Sequence, residues 1–518
     1  MPAVAFTVVL LLHLVIAGGE TAEREVVTVT VSGPRQAFPH LWEEVVGAGH
    51  ASLHLRRDFQ EHLARGAREL GFRAVRCHGI FGDELQVLRR DAEGALHTNW
   101  QNVFAIYDAY LELGVRPFVE LSFMPSALAS GEATVFQYRG NVTPPRSLDE
   151  WKWFIADFAS KLVERYGRDE VRQWRFEVWN EPDIKIFWAG TERDYFALYE
   201  ATAEALRSVD PLLQVGGPGG ASPRFVTRLL AYAASARATP LPVDFVSFHT
   251  YGGNIRGPQA TYAPIHVLTE LARQVREVRD RSPYGKAKLH VTEWNSTPES
   301  RDGAHDTPLN AAFVCEAVAI MHGAVDSFAY WTVSDVFEER GFPDRPFHGG
   351  FGLITIHGLC KPSFHAFALL HLLGEERLPL ESTASAEERP CPGLATIDAS
   401  GTVRILLWTW PYAHPRSPTG ARALRVEVKG LGPGSYEGRR FLVDETHGNV
   451  LRAWRAMGEP AYPTREQLLE LRRADDLHEE TSEIVDAGGG SLCLELDLDV
   501  PAVSLVELRR LTGGSEHR

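Results

Sequence analysis

The sequence predicts an α/β protein, built as a (β/α)8 TIM barrel with an accessory C-terminal β-sandwich domain. Two observations lead to this prediction. From about residue 45 to 335, short apolar segments alternate with amphipathic helical segments, and beyond about residue 374 the pattern changes to the period of two of half-buried antiparallel strands. The alternating stretch covers roughly 290 residues, which is enough for a complete eight-stranded barrel.

Eight segments in the alternating stretch have the length and the apolar, β-branched composition of buried parallel strands. They are Val45–His50, Phe72–His78, Arg116–Phe123, Trp174–Asn180, Leu213–Pro218, Val243–Tyr251, Lys288–Asn295 and Asp326–Ser334. Because each is followed by a helical segment, the connections predict parallel neighbours joined by crossover helices.

The segments between these strands carry helix signals. Leu148–Tyr166 has apolar residues at helical spacing on one face, and Ser147 with Glu150 three positions later predicts a capping box at its start. A second helix is predicted to begin at Asp306-Thr307-Pro308, where a capping residue precedes proline in the first turn.

A doubly wound open sheet is the competing architecture for such an alternation. It would place a glycine-rich phosphate-binding turn directly after an early strand. The glycine-rich run Val215–Gly220 comes too late in the chain and lacks the required spacing. The barrel is therefore favoured.

The C-terminal part has a different pattern. The polar connection Gly374–Gly393 is followed by period-two runs, which predict an antiparallel β-sandwich. A helical segment, Thr464–Arg473, interrupts the series. The early run Val26–Val31 also alternates and is expected to join this second sheet. The period-two runs are Val403–Trp410, Leu424–Val428, Ser491–Leu498 and Val503–Leu508.

These patterns divide the chain into five predicted segments. Residues 1–25 are a signal peptide or an over-extended N-terminus, and 26–44 contain the strand that joins the sandwich. Residues 45–340 form the barrel, and 341–373 form a connection that packs on it. Residues 374–518 form the β-sandwich with its short helical insertion.

Composition narrows the classes of partner. The chain of 518 residues has a formal net charge of −15 and no basic block, which argues against nucleic acid or an anionic membrane as its main partner. The five cysteines are widely scattered without the spacing of a zinc site, so free thiols are expected. A homo-oligomer stays an open alternative.

The N-terminal stretch Ala3–Ala17 has the length of the apolar core of a signal peptide and is short for a membrane span. No lysine or arginine precedes it, which is unusual for a secretory signal. A cytoplasmic location is favoured, and the protein is secreted if residues 1–22 are a signal peptide.

Two glutamates lie at the ends of predicted strands. Glu181 ends the fourth strand, and Glu293 lies near the end of the seventh. In a barrel, the C-terminal strand ends meet at one mouth, so the two side chains are expected to converge there. Two convergent carboxylates are what glycoside hydrolysis needs, since one donates a proton and the other attacks the anomeric carbon or activates water.

Each glutamate also has a structural explanation. A single glutamate before proline is more often a surface turn residue. Here both glutamates have tryptophan and asparagine beside them, in Trp179-Asn180-Glu181 and in Glu293-Trp294-Asn295. Asparagine can bind a sugar hydroxyl and tryptophan can face a sugar ring, so the paired pattern favours a catalytic role.

The motifs "FEVWNEPD" and "HVTEWNS" resemble the acid/base and nucleophile motifs of glycoside hydrolase family 39, which contains β-xylosidases and α-L-iduronidases. The resemblance covers nearly the whole chain from about residue 26. Five further stretches resemble the bacterial β-xylosidase branch: Arg116–Pro125, Gly140–Pro145, Asp326–Arg340, Phe347–Leu353 and Asp444–Asn449.

The resemblance implies a retaining xylan 1,4-β-xylosidase that releases xylose from the non-reducing ends of xylo-oligosaccharides by double displacement. It implies that Glu181 is the general acid/base, that Glu293 is the nucleophile, and that Asn180 binds the sugar 2-hydroxyl. It also implies a small carbohydrate substrate and no metal or organic cofactor. The other residues implied to line the sugar subsite are His78, Phe187, His249, Tyr251, Trp331 and Glu339.

The sequence departs from the family pattern at two positions near these residues. Cys77 stands where glycine is usual, and Phe248 stands where arginine is usual. The loss of the arginine removes a positive charge near the nucleophile strand. This loss is expected to alter the fine tuning of the ionisation of Glu293.

Two alternatives remain at the level of the sequence. The first is an α-L-iduronidase-like or an arabinosidase-type specificity on the same catalytic machinery. A uronate substrate would call for a convergent cation, whereas Glu339 is expected to repel a substrate carboxylate. A non-catalytic carbohydrate-binding protein is the alternative from a different class. The presence of both Glu181 and Glu293 argues against a non-catalytic protein.

Overall fold

The computed structural model describes residues 24–220, 222–235, 239–252, 263–385, 390–410 and 420–511. The apolar stretch Ala3–Ala17 lies outside the described residues, as does the rest of the predicted segment 1–25, a signal peptide or an over-extended start, except for residues 24 and 25. No helix in the described part of the chain combines the length and apolarity that a membrane-spanning helix requires.

Eight parallel strands close into a barrel, as predicted. Neighbouring strands follow the order of the chain, and β8 pairs with β1 through Tyr330 and Val46. The strands are β1 (Val46–His50), β2 (Ala74–His78), β3 (Arg116–Glu120), β4 (Arg175–Glu177), β5 (Gln214–Gly220), β6 (Phe245–Tyr251), β7 (Lys288–Asn295) and β8 (Ser327–Tyr330).

Helices connect the strands around the outside of the barrel. The helix Leu148–Tyr166 has the predicted bounds, and the Ser147 hydroxyl accepts a hydrogen bond from the backbone N–H of Glu150. The main barrel helices are Arg57–Leu70, Gln101–Glu112, Leu148–Tyr166, Glu192–Val209, Pro223–Ser235, Ala263–Asp280, Pro308–Met321 and Pro362–His371, and a short helix spans Arg168–Val171.

Three strands end earlier than the sequence predicts. The fourth was expected to reach Asn180 but ends at Glu177, because Trp179 with φ 72° and Glu181 with φ 43° leave the extended region. The third ends at Glu120 and the eighth at Tyr330. In each case the apolar run continues past the strand into the loop that builds the barrel mouth.

Most of the remaining strands form two sheets that face each other. The smaller sheet contains, in order, Leu380–Ser382, Glu25–Thr30, Arg422–Lys429 and Ser491–Leu498, so the N-terminal strand lies inside it. The larger sheet contains Gln36–Ala37, Glu376–Leu378, Gly393–Ile397, Val403–Thr409, Ala502–Arg510, Ser435–Val443 and Glu479–Asp486. Two short helices, Val450–Ala456 and Arg465–Arg473, lie in the chain between the strands Ser435–Val443 and Glu479–Asp486.

Two short hairpins extend the loops at the barrel mouth. Leu88–Arg90 pairs with Leu96–Thr98 after β2, and Thr134–Val135 pairs with Gly140–Asn141 after β3. The second hairpin bears on the functional site, as shown below.

Apolar side chains fill one large core in the barrel and a second core between the two sheets. The two domains also share a buried hydrogen bond, in which the Trp408 indole N–H donates to the Glu316 carboxylate over 2.7 Å. All five cysteines are buried and free, as expected.

Candidate active site

The two glutamates at the strand ends meet at the barrel mouth. Glu181 follows β4 and Glu293 lies in β7, three strands away around the barrel. One carboxylate oxygen of each and one ring nitrogen of His249 lie within 4.8 Å of one another. Retaining glycosidases hold their two carboxyl groups about 5 Å apart, so the spacing fits the retaining arrangement.

Glu181 is held by its backbone and by His249. Its N–H donates to the Gly219 carbonyl over 3.1 Å, and its Oε1 lies 2.9 Å from His249 Nδ1. Burial, followed by the negative charge of Asp183, raises the pKa of Glu181 to about 7. The carboxyl group is therefore suited to donating a proton near neutral pH.

Glu293 is held by a cation and a hydroxyl. Its Oε1 accepts a hydrogen bond from Arg76 Nη1 over 2.8 Å, and its Oε2 accepts one from the Tyr251 hydroxyl over 2.7 Å. Both partners stabilise the charged carboxylate, which is the form that a nucleophile needs.

Arg76 is a functional residue that sequence reasoning missed. Its side chain is fully buried in β2 and forms ion pairs with Glu120, Glu177 and Glu293. It also donates to Asn180 Oδ1 over 2.9 Å. A signal was present, because Arg76 stands two positions before His78 in a strand whose alternate side chains share one face.

The bond to Arg76 fixes the orientation of Asn180. A guanidinium only donates hydrogen bonds, so the amide oxygen must face Arg76 and the NH2 group is left to donate elsewhere. The predicted strand would have placed Glu177 and Asn180 on opposite faces. The positive φ of Trp179 breaks that alternation and brings both side chains to the same guanidinium.

His78 links this network to Glu339. Its Nδ1 lies 2.7 Å from Glu120, and its Nε2 lies 3.6 Å from Glu293 and 3.7 Å from Glu339. Burial, then the nearby charges of Glu293 and Glu181, raises the pKa of Glu339 well above its usual range. This shift favours the neutral form of Glu339, which can both donate and accept hydrogen bonds.

His249 bridges the two catalytic candidates. Its Nδ1 lies 2.9 Å from Glu181 and 3.5 Å from Glu293. Burial lowers the pKa of His249 to about 4, because desolvation outweighs the attraction of Glu293. The ring is therefore neutral near pH 7 and does not hold the Glu181 carboxyl in its charged form.

Aromatic rings enclose the remaining sides. The Trp331 ring lies 4.7 Å from His78 and is almost fully buried. The half-buried Phe187 lies 5.4 Å from Phe136, which itself lies 5.9 Å from the His78 ring. Phe136 belongs to the hairpin after β3 and was not identified from the sequence, because nothing in its local pattern marks it.

The two departures from the family pattern have different consequences. Cys77 is buried, and its sulfur accepts a weak hydrogen bond from the Tyr110 hydroxyl, away from the mouth. Phe248 is also buried, and the positive charge beside Glu293 comes from Arg76 instead. Glu293 therefore has a neighbouring cation, which is Arg76 of β2.

The convergence of Glu181, His249 and Glu293 also has the spacing that could hold a metal ion. A second such group in the described residues comprises His40 and Glu43, which precede β1, and His371 at the end of the helix Pro362–His371. In the first group, however, both carboxylates already have the partners that acid/base and nucleophilic roles require.

Comparisons with known proteins identify the family of the chain. The model of the glycosyl hydrolases family 39 matches residues 25–491. A β-xylosidase of Caldicellulosiruptor saccharolyticus is 38% identical over 88% of this chain and 93% of its own length. A β-xylosidase of Geobacillus stearothermophilus is 37% identical over 94% and 96%. The crystal structure of a monomeric β-xylosidase from Caulobacter crescentus has a TM-score of 0.85 at 31% identity and covers 95% of this chain and 100% of that one.

Proposed function

This chain belongs to glycosyl hydrolase family 39, and we propose that it is a retaining β-xylosidase that releases xylose from the non-reducing ends of xylo-oligosaccharides. The single observation that supports this best is the pairing of a protonated and a charged carboxyl group within 4.8 Å at the barrel mouth. The β-xylosidases that are more than a third identical over most of their length support the choice of sugar.

In the first step, Glu293 attacks the anomeric carbon while Glu181 protonates the departing oxygen. Arg76 and Tyr251 hold Glu293 in place, so no rearrangement of the nucleophile is required. The NH2 group of Asn180 is left to bind the sugar 2-hydroxyl, and such a contact strengthens in the transition state.

In the second step, water cleaves the glycosyl ester. Formation of the ester removes the negative charge of Glu293, and Glu181 has given its proton to the leaving group. Glu181 then acts as the base that activates water, and the proton returns to it as the product xylose forms. Two inversions at one carbon give net retention of configuration.

The described residues favour a neutral sugar over a uronate. Arg76 is a cation at the floor of the site, and its donors are engaged by Glu120, Glu177, Glu293 and Asn180. Four of its five N–H donors are therefore engaged within the protein, which leaves at most one for a substrate carboxylate. The repulsion expected from Glu339 carries less weight, since burial raises the pKa of that side chain and favours its neutral form.

Replacement of the nucleophile tests the proposal. We expect Glu293→Gly to reduce turnover of aryl β-xylosides by at least roughly 10⁴-fold, because the covalent route is lost. Azide is expected to restore part of the activity and to give the α-xylosyl azide, identified by NMR. A variant with wild-type turnover, or an azide product of β configuration, would contradict the assignment.

Glu181→Ala is the matched control. It keeps the nucleophile and removes the acid, so it is expected to slow substrates with poor leaving groups far more than activated aryl xylosides. Equal reductions in rate on both kinds of substrate would show that Glu181 is not the general acid. A wild-type protein that cleaves no aryl xyloside would favour the non-catalytic alternative.

A further inference from the structure

The leaving group and the non-reducing end of the sugar point to opposite sides of the barrel. Glu181 protonates the leaving oxygen, and its contacts are with Gly219 of β5 and His249 of β6. In a circle of eight strands, β1 lies opposite β5. The non-reducing end therefore faces β8, β1 and β2, where Glu339 and His78 stand.

The hairpin after β3 crosses to this side of the mouth. Phe136 at its turn has φ 63° and lies against His78, and the N–H of Gln137 donates to the Glu339 carbonyl over 2.9 Å. At its base, a Cβ on Gly140 would lie only 2.5 Å from the Phe123 ring, so the strand packs directly on the loop beneath it.

His50 at the end of β1 fastens the hairpin. The Tyr138 ring stacks on the His50 ring at 3.7 Å with an interplanar angle of 7°. His50 Nδ1 lies 2.7 Å from Glu338, and its Nε2 is bonded to Glu84. Burial would lower the pKa of His50, but hydrogen bonds with the two carboxylates outweigh burial and raise it. Because both ring nitrogens of His50 contact a carboxylate, these contacts hold the ring on which Tyr138 stacks in a fixed position.

A groove lies directly behind the hairpin. It is a cavity of about 750 Å³ whose lining includes His50, Tyr138 and Phe123 on the hairpin side, and Glu84 and Arg146 beyond. Its size is in the range of small-ligand sites, and its lining is largely polar. The Tyr138 ring lines this groove, and the Phe136 ring, whose centroid lies 5.4 Å from that of Tyr138, lies on the side of His78.

We propose that the hairpin Thr134–Asn141, through Phe136 and Tyr138, is the partition that limits this enzyme to removing one sugar at a time. Opening it connects the catalytic pocket with the groove and lets a second sugar occupy the space beyond the non-reducing end. The proposal rests on the proposed β-xylosidase function and adds the residues that set its mode of attack.

The test compares two substrates with the same aryl leaving group, a β-xyloside and a β-xylobioside. The wild-type enzyme is expected to release xylose first from the xylobioside, because the pocket admits one sugar. Tyr138→Ala is expected to release xylobiose directly, raising the early xylobiose-to-xylose ratio at least about tenfold, as removal of a steric block in a pocket does. Early products are separated by chromatography, and the aryl xyloside alone serves to reveal any xylobiose made by transglycosylation.

Two control variants match this one. Tyr138→Phe keeps the ring on His50, and Gln137→Ala keeps the backbone bond to Glu339 while removing an exposed side chain. Both are expected to give the wild-type products. Phe136→Ala opens the partition from the catalytic side. If Tyr138→Ala does not fold, the early xylobiose-to-xylose ratio is measured on Phe136→Ala instead.

The outcomes separate the two proposals. Folded Tyr138→Ala or Phe136→Ala that still gives only xylose would overturn the partition, and so would a wild-type enzyme that releases xylobiose directly. Loss of all aryl-xyloside activity in both folded variants would show that the hairpin forms part of the sugar site, which also overturns it. A wild-type enzyme inactive on both substrates would overturn the proposed function itself.

Discussion

At the scale of single residues, the ionisation of Glu181 depends on burial and on one neighbouring charge. Its pKa of about 7 lies above the ordinary value of 4.5, so the carboxyl is protonated below neutrality and loses its proton as the pH rises through 7. Activity is therefore expected to fall on the alkaline side of that value. The same shift makes the folded state lose stability as the pH rises from about 4.5 to about 7.

Asp183→Asn tests this electrostatic balance. Asp183 is the second cause of the raised pKa, after burial, so removing its charge is expected to lower the pKa of Glu181. The alkaline limb of the kcat/KM profile for an aryl xyloside should move to lower pH. Asp183→Glu keeps the charge and serves as the control. If the alkaline limb of the Asp183→Asn profile does not move, burial alone causes the raised pKa of Glu181.

At the scale of elements, the ends of strands and helices place the chemistry. β4 stops at Glu177, and the following residues with positive φ turn Asn180 and Glu181 into the mouth. Such conformations are costly and persist where the surrounding structure holds them. Here the bonds from Glu181 N–H to Gly219 and from Arg76 to Asn180 supply that support.

Ser147→Ala tests the start of the helix that follows β3. The Ser147 hydroxyl accepts a hydrogen bond from Glu150 N–H over 3.3 Å. Its loss leaves a helix N–H without that acceptor and is expected to lower the free energy of unfolding by about 1 kcal/mol. Denaturant unfolding measures the change, and Ser147→Asp, which restores an acceptor, should recover it. Equal stability of the alanine variant would show that water replaces the cap.

At the scale of the whole molecule, the sandwich is attached to the outside of the barrel. Strand Val403–Thr409 approaches helix Pro308–Met321, and Trp408 donates its buried indole N–H to Glu316. The catalytic groups lie at the barrel mouth and make no contact with this pair. The attachment is therefore expected to affect stability without affecting the chemistry.

Trp408→Phe tests this separation. It leaves the buried Glu316 carboxylate without one donor and is expected to lower the free energy of unfolding by about 1–3 kcal/mol. The kcat/KM for aryl xylosides should stay unchanged. Trp410→Phe is the matched control, because that ring packs on Phe313 and its indole has no hydrogen bond among the described residues. A comparable loss of stability in both variants would assign the effect to packing.

Much of the fold and part of the site could be predicted from the sequence. Periodicity is a local property, so the eight barrel strands, the helix Leu148–Tyr166 and the change to a sandwich followed from it. The pairing of Glu181 with Glu293 followed from the rule that strand ends share one mouth. The exact strand ends did not follow, since positive φ values at Trp179 and Glu181 leave no clear mark in composition.

Only the tertiary structure decided which side chains share the floor of the site. Arg76, Glu120 and Glu177 come from three strands far apart in the chain, and their ion pairs exist only after the barrel closes. The protonation of Glu181 and Glu339 depends on burial, which no short stretch of sequence contains. The sequence by itself determined the architecture and the two catalytic candidates, because both depend on local pattern. Their electrostatics and the partition formed by the hairpin depend on long-range contacts.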